Sequence, residues 1–351
     1  MSQEKQKKSS KRTSKKLRKR RKIVVALLSV LSIFILGIIY FVCTKPGQEQ
    51  VVNIASDYIY DKSLQSDSEE SNFKKKENDS ESNLPEHLKI VLLGSQDSNT
   101  DTMIVASLNT KDNTLSLTSL MRDIYVDIPD HHSAKLNAAY PMGGIDLFYQ
   151  TIQQNFNQTF DGYVLVDYDT FEYIIDQIGG VEITLTEAEA KYLNTTNYIS
   201  DKKQRTVVPG TQTLTGNQAL GYCRIRYRAT VDGENDDFGR TARQRTVLNA
   251  IFKKVKSKDI LDLIGIANNV LNNSKIKTDI TKSDFRILTN ALLKVDAKDI
   301  TTHRIPTAGS FEDDYRTIKE GSKPQKVLIM KDWNQTRTEL SEFINESTDT
   351  H

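Results

Sequence analysis

The sequence predicts an α/β domain with helices on both faces of a sheet, preceded by one N-terminal transmembrane helix. Three observations predict it. From residue 88 to residue 343, apolar runs of strand length alternate with segments of helical periodicity, and such alternation packs helices on both sheet faces. Residues 23–43, "IVVALLSVLSIFILGIIYFVC", carry no charge; as a helix they span about 31 Å and match a bilayer core. Between these two regions, residues 63–83, "SLQSDSEESNFKKKENDSESN", are dominated by Ser, Asn, Lys and acids, a composition that cannot bury a core and reads as a tether.

Taken in order, the N-terminus comes first. Of the 48 Lys and Arg in the chain, 12 fall in residues 1–22 beside one acid, leaving 36 cations and 45 acids for the remainder. The positive-inside rule then keeps residues 1–22 in the cytoplasm and places everything after residue 44 outside, as a single-pass protein of the cell membrane. A cleaved signal peptide fits less well, because its apolar stretch is usually shorter and ends in small residues, whereas here Thr44, Lys45 and Pro46 follow. The acidic body excludes general nucleic-acid binding. Two cysteines, one of them in the span, give no disulfide framework. The expected organisation is a basic tail (1–22), a span (23–43), a tether (44–86), a catalytic domain (87–345) and a short tail (346–351).

Within that domain, "LKIVLLG" (88–94), "TMIVASL" (102–108) and "TLSLTSL" (114–120) read as strands. Apolar residues at helical spacing mark a helix over 144–156. "GYVLVDY" (162–168) is a strand, and 169–180 is a helix with Asp169 as N-cap and two glycines past its end. "VEITL" (181–185) is a strand, 216–222 a helix, and "CRIRY" (223–227) a strand that sends Arg224 and Arg226 to one face. Helices follow over 240–256, 258–273 and 281–293, then a strand over 300–306 and a helix over 332–343.

Three clusters can carry chemistry. "GSQDSNTDT" (94–102) is a Gly-led loop between buried strands; its Asp97 and Asp101 are four residues apart and can share a hard cation such as Mg²⁺. "SLMRDIYVDIP" (119–129) places Arg122 and Asp123 at a strand end. The third is "CRIRYRATVDGENDDFGRTARQR" (223–245), with six arginines and four acids in 23 residues. Arg is the residue for forked contacts to phosphate, and a helix opening near Gly239 and Arg240 would add free amides and a positive dipole. There is no Walker loop, Ser-His-Asp elbow or zinc cluster, and His131 and His132 fall in a loop.

The blocks "LLGSQDSNTDTMIVASLN", "SLMRDIYVDIP", "KLNAAYPMGG", "GYVLVDYDTFEYIIDQIGGVEI", "LTGNQALGYCRIRY" and "DDFGRTARQRTVLNAIF" follow one another between residues 88 and 256. In that order the chain resembles the LytR-CpsA-Psr family of Gram-positive cell-envelope proteins. The resemblance implies an αβα sandwich with a central mixed sheet and an apolar pocket for a polyprenyl chain. It implies a phosphotransferase that moves a glycopolymer (wall teichoic acid, capsule or another polysaccharide) from an undecaprenyl-pyrophosphate carrier to a peptidoglycan hydroxyl. By motif, Asp97 and Asp101 match the pair that holds Mg²⁺, with Mn²⁺ as the alternative ion. Arg122, Arg224 and Arg226 match the pyrophosphate clamp, joined by Arg240, Arg243 and Gln244 of the last block; Asp237 matches a further polar residue of that block. Asp123 or Asp237 would accept the proton of the sugar hydroxyl. One departure is Asn99, where the family carries an Arg ahead of its second acid. A hydrolase acting on the same lipid, a non-catalytic scaffold and a transcriptional regulator are the rival readings; a cytoplasmic part of 22 residues without a helix-turn-helix leaves the last little room.

Overall fold

The computed structural model describes residues 86–345, apart from 97–98, 319–320 and most of 259–275 and 281–299. The expected basic tail, span, tether and C-terminal tail lie outside the described residues, as do most of the helices expected over 258–273 and 281–293. Among the described residues, no helix is long and apolar enough to cross a membrane.

Strands β1 (His87–Gln96), β2 (Asn99–Asn109) and β3 (Thr114–Leu120) form an antiparallel meander. Its second turn is closed by Asn109, whose Oδ1 accepts the backbone N–H groups of Lys111 and Asp112. The short pair β4 (Tyr125–Val126) and β5 (Ala134–Lys135) follows. Helix α1 (Ala139–Phe156) is interrupted at Gly143 and Gly144, and Gly144 takes a φ of 70°. Next come β6 (Gly162–Asp167), α2 (Tyr168–Gln177), β7 (Val181–Leu185), α3 (Glu187–Thr195), β8 (Gly210–Leu214), α4 (Gly216–Arg224) and α5 (Asp236–Lys256). The chain continues through β9 (Ile276–Thr278), β10 (Ile300–Ile305), β11 (Phe311–Arg316), β12 (Gln325–Met330) and α6 (Trp333–Ile344).

The main sheet has the order β10-β3-β2-β1-β6-β9. It is mixed: β1 and β6 run parallel, as do β3 and β10, and the other neighbours are antiparallel. Alternate side chains feed opposite faces, because successive residues of a strand point apart. Leu88 and Ile90 of β1 join Ile174 of α2, Cys223 of α4 and Val247 of α5 in one core. Val91 and Leu93 join Phe148 and Phe156 of α1 and Leu340 of α6 in the other. This is the expected αβα sandwich.

Three local expectations are corrected. "CRIRY" is not a strand: α4 continues through Cys223 to Arg224, and the fully buried Ile225 is its C-cap. Helix α4 is launched by a reciprocal cap, Thr215 with Gln218, and this outweighs the brief alternation of Arg and Ile. Helix α5 opens at Asp236 rather than near Arg240, so the arginines stand one turn and more inside it. Helix α2 is capped by Asp167, which accepts the Thr170 N–H, rather than by Asp169. "VEITL" is the expected strand over 181–185, and it pairs with β8 in a separate ribbon outside the main sheet.

Candidate functional site

Strands β1 and β6 lie side by side and parallel, so their carboxyl ends open at the same edge. In open α/β sheets this is where ligands sit. A cavity of about 360 Å³ begins there and runs between the sheet and helices α2, α4 and α5. Its deep walls are apolar, formed by residues such as Ile90, Ile104, Phe171, Leu248 and Ile251. At the strand ends it becomes polar, with Asp101, Tyr168, Arg224, Arg226, Arg240 and Gln244. On α5, Arg240, Gln244, Leu248 and Ile251 recur at helical spacing, so a single helix face supplies polar rim and apolar wall together.

The rim is a lattice of alternating charge. Arg122 Nη1 donates to Asp101 Oδ1 at 2.5 Å, and its Nε lies 3.4 Å from both Asp123 Oδ2 and Asp237 Oδ2. Arg240 Nη2 donates to Asp237 at 2.8 Å, and its Nη1 is 3.8 Å from Asp101. Arg226 Nε stands 3.6 Å from Asp237, and Lys135 Nζ donates to Asp123 at 2.7 Å. Four cations thus face three carboxylates, an excess of positive charge beside an apolar hole. The buried Nε atoms of Arg122 and Arg240 have no hydrogen-bond partner among the described residues. Arg122 Nε has the two carboxylates beside it, but leaving the Arg240 donor unsatisfied is costly, and an anion at the rim would satisfy it.

The titration of these groups follows from burial and charge. Burial disfavours the Arg122 cation, but Asp237, Asp123 and Asp101 together raise its pKa above the usual Arg value. Burial holds Arg240 below that value, with Asp237 opposing. Burial would raise the Asp123 carboxyl, but Arg122 and Lys135 overcome it and hold the group below the ordinary carboxylate range. Burial pushes the Cys223 thiol in the cavity wall up to about 12, so it stays protonated.

The expected site residues divide into groups. Asp101, Arg224, Arg226, Arg240 and Gln244 line the cavity. Arg122, Asp123 and Asp237 stand behind them as the charged second layer. Asp97 lies outside the described residues. Arg243 is placed differently from the expectation: it is wholly buried and does not reach the cavity. Its Nε donates to Glu189 at 2.7 Å, and its Nη atoms donate to the carbonyls of Ile225 and Arg228. Arg243 therefore fixes the stretch that carries Arg226 and has no donor turned toward a ligand. Glu189 serves twice, because its other oxygen accepts the Thr186 N–H at the start of α3.

Three residues at this site were not expected. Lys135 balances Asp123, and Tyr168 and Tyr198 flank Arg224, with ring centroids 5.3 and 5.5 Å from its Cζ. The signal for Tyr168 was available, since it directly follows the carboxyl end of a parallel strand; Lys135 and Tyr198 had no such signal.

A family model described as the LytR_cpsA_psr family matches residues 54–332. The chain is 33% identical over 189 residues to a polyisoprenyl-teichoic acid–peptidoglycan teichoic acid transferase TagU of Enterococcus faecalis, covering 53% of this chain and 56% of that protein. It is 29% identical over 267 residues to the regulatory protein MsrR of Staphylococcus aureus, covering 74% and 75%. The chain thus spans little more than half the length of the first of these curated relatives. Among solved structures, it is similar to a LytR-CPS2A-psr family protein YwtF (TagT) with bound octaprenyl pyrophosphate lipid, at a TM-score of 0.54 and 23% identity over 74% of this chain and 91% of that one. At that identity the likeness speaks for the fold.

Proposed function

The chain belongs to the LytR_cpsA_psr family, and from that premise we propose that it transfers a glycopolymer phosphate from a polyprenyl-pyrophosphate carrier to a peptidoglycan hydroxyl. One observation carries the reading: the apolar cavity ends at a cationic rim of Arg224, Arg226 and Arg240, where the buried Arg240 Nε has no hydrogen-bond partner among the described residues. A lipid tail and a diphosphate match those two halves in chemistry and order. In support, the similar TagT structure is described as holding octaprenyl pyrophosphate, and TagU is named as a teichoic acid transferase.

The reaction exchanges a phosphoanhydride bond for a phosphoester. The bond between the glycopolymer phosphorus and the bridging oxygen breaks, and polyprenyl phosphate leaves with the electron pair. A bond forms from the acceptor hydroxyl oxygen to the same phosphorus, and the hydroxyl proton passes to a carboxylate. Charge develops on the leaving phosphate, and fixed cations aimed at it lower the barrier. Arg224, Arg226 and Arg240 face that position, and Arg122 holds Asp101 and Asp237 in register behind it. Of the two carboxylates expected to take the proton, Asp123 is tied to Arg122 and Lys135, neither of which lines the cavity. The role is assigned to Asp237, which sits in the first turn of α5 between Arg240 and Arg226.

A divalent cation fits this donor set in part. Among the described residues, no group of three His, Cys, Asp or Glu side chains could hold a metal. Mg²⁺ needs no such cage, since it is commonly held by one or two carboxylates with waters and substrate phosphates. Asp101, together with Asp97, would hold it, and it would neutralise phosphate charge during transfer.

The test is transfer from a short-chain lipid-pyrophosphate donor to peptidoglycan fragments. Arg226→Ala and Arg240→Ala should each slow it by about 10²–10³ with the thermal transition preserved. Release of free glycopolymer phosphate and polyprenyl phosphate without a glycan-linked product would mean hydrolysis instead, and parental rates in both variants would end the reading. The same proposal places the domain outside the membrane with residues 1–22 inside, from the 12 cations ahead of the uncharged run. Protease added to intact protoplasts should remove the domain and spare an N-terminal epitope tag; loss of the tag would reverse the topology.

A further inference from the structure

We propose that Tyr168 is a substrate-contacting residue, whose hydroxyl donates a hydrogen bond to a diphosphate oxygen while its ring presents Arg224 to the same group. The inference rests on the reading of the rim as a pyrophosphate site, and it adds a neutral donor to a site otherwise described by charge.

Position is the first observation. Tyr168 is the first residue of α2, directly after β6, and it lines the cavity at its polar end. The second is its relation to Arg224, whose Cζ lies 5.3 Å from the Tyr168 ring and 5.5 Å from that of Tyr198. A guanidinium held over aromatic rings is attracted through its charge and need not spend its N–H donors on them. Among the described residues, the Arg224 side chain makes no ion pair or hydrogen bond, unlike Arg122, Arg240 and Arg243. The two rings therefore hold a cation whose donors are available to a ligand.

The hydroxyl itself is the third observation. It has no hydrogen-bond partner among the described residues, and the charges acting on it are Asp101, Arg224 and Arg240. Burial and the Asp101 carboxylate keep the phenol protonated, so toward a phosphate oxygen it is a donor. A phenylalanine here would hold Arg224 by the same ring and leave the diphosphate one donor short.

That difference separates the two roles. Binding of farnesyl pyrophosphate to the full chain in detergent, measured by calorimetry, should weaken about tenfold in Tyr168→Phe, with the thermal transition unchanged. Tyr168→Ala, which also removes the ring beneath Arg224, should weaken it further. Binding of farnesol, which has the tail and no phosphate, should stay at the parental affinity in Tyr168→Phe. If Tyr168→Phe binds the pyrophosphate as tightly as the parent, or loses farnesol and pyrophosphate alike, Tyr168 is a wall residue and the inference falls while the pyrophosphate site stands. If the parent itself fails to bind farnesyl pyrophosphate, the pyrophosphate reading falls and takes this inference with it.

Discussion

Arg240 and Arg243 stand three residues apart on α5 and face different tasks. Arg240 reaches the cavity rim beside Asp237 and Asp101, whereas Arg243 spends its donors on Glu189 and two backbone carbonyls. Both members of the Arg243–Glu189 pair are fully buried. Removing one partner of such a pair leaves an uncompensated charge and costs about 3–5 kcal/mol, while replacing both with apolar residues of similar volume is often tolerated. Glu189→Ala should therefore destabilise the fold by that amount in chemical denaturation. Glu189→Leu with Arg243→Met should recover much of the loss but transfer more slowly, because the carbonyls of Ile225 and Arg228 lose their anchor and Arg226 its fixed position. If the double variant transfers at the parental rate, the pair is structural ballast and the loop holds itself. At this scale the sequence was readable in residue type and blind to direction. The density of arginines suggested an anion, but helical spacing makes both 243 (i+3) and 244 (i+4) neighbours of Arg240, and only the packing of α3 decides that Gln244 turns to the cavity and Arg243 away.

At the scale of elements, the site is assembled from ends: those of β1 and β6, the first residue of α2, the last of α4 and the early turns of α5. The long apolar strands were legible because β3, buried along its whole length, and the alternating β1 carry period-two or unbroken apolar runs. Polar strands were not. Strand β8, "GTQTL", and strand β11, "FEDDYR", bury little and exist because a partner strand pairs with them. The same limit explains Asp167 and Asp169, either of which could cap a helix by its chemistry; the end of β6 selects the first. The misread "CRIRY" has a like cause. Its alternation spans too few residues to outweigh a helix already launched from Thr215 and Gln218, and tertiary context routinely overrides so short a local signal. The arginines nonetheless reach the expected place, because a C-cap turn after Arg224 also delivers 224 and 226 to one rim.

For the whole molecule, the layered architecture was legible from the order of elements, but the register, the parallel pairing of β1 with β6 and the volume between layers were not, since each depends on residues far apart in sequence. That volume has a further consequence. The two faces of the sheet are unequally filled. On one side, Phe148, Ile152 and Phe156 are fully buried against the strands. On the other, Leu92, Val166, Phe171 and Leu248 line the cavity and are only partly buried. A wall of that kind forgoes dispersion contacts that a filled core would have, so the α2–α4–α5 layer is less tightly held around the cavity than the α1–α6 layer is against the strands. An occupant of the cavity that binds only the native state adds to folding stability by mass action, about 2.7 kcal/mol at a hundredfold excess over its Kd. For a domain of this size that is a rise of roughly 5–10 °C in the unfolding midpoint. Amide hydrogen exchange should show the imbalance directly: protection in α2 and α4 climbs as lipid pyrophosphate is titrated, while α1 and α6, already tight, change little. Equal gains on both faces would mean that the layers respond as one body. On the proposed function, the fold is completed by its substrate, and its melting temperature becomes a gauge of how much lipid carrier surrounds it.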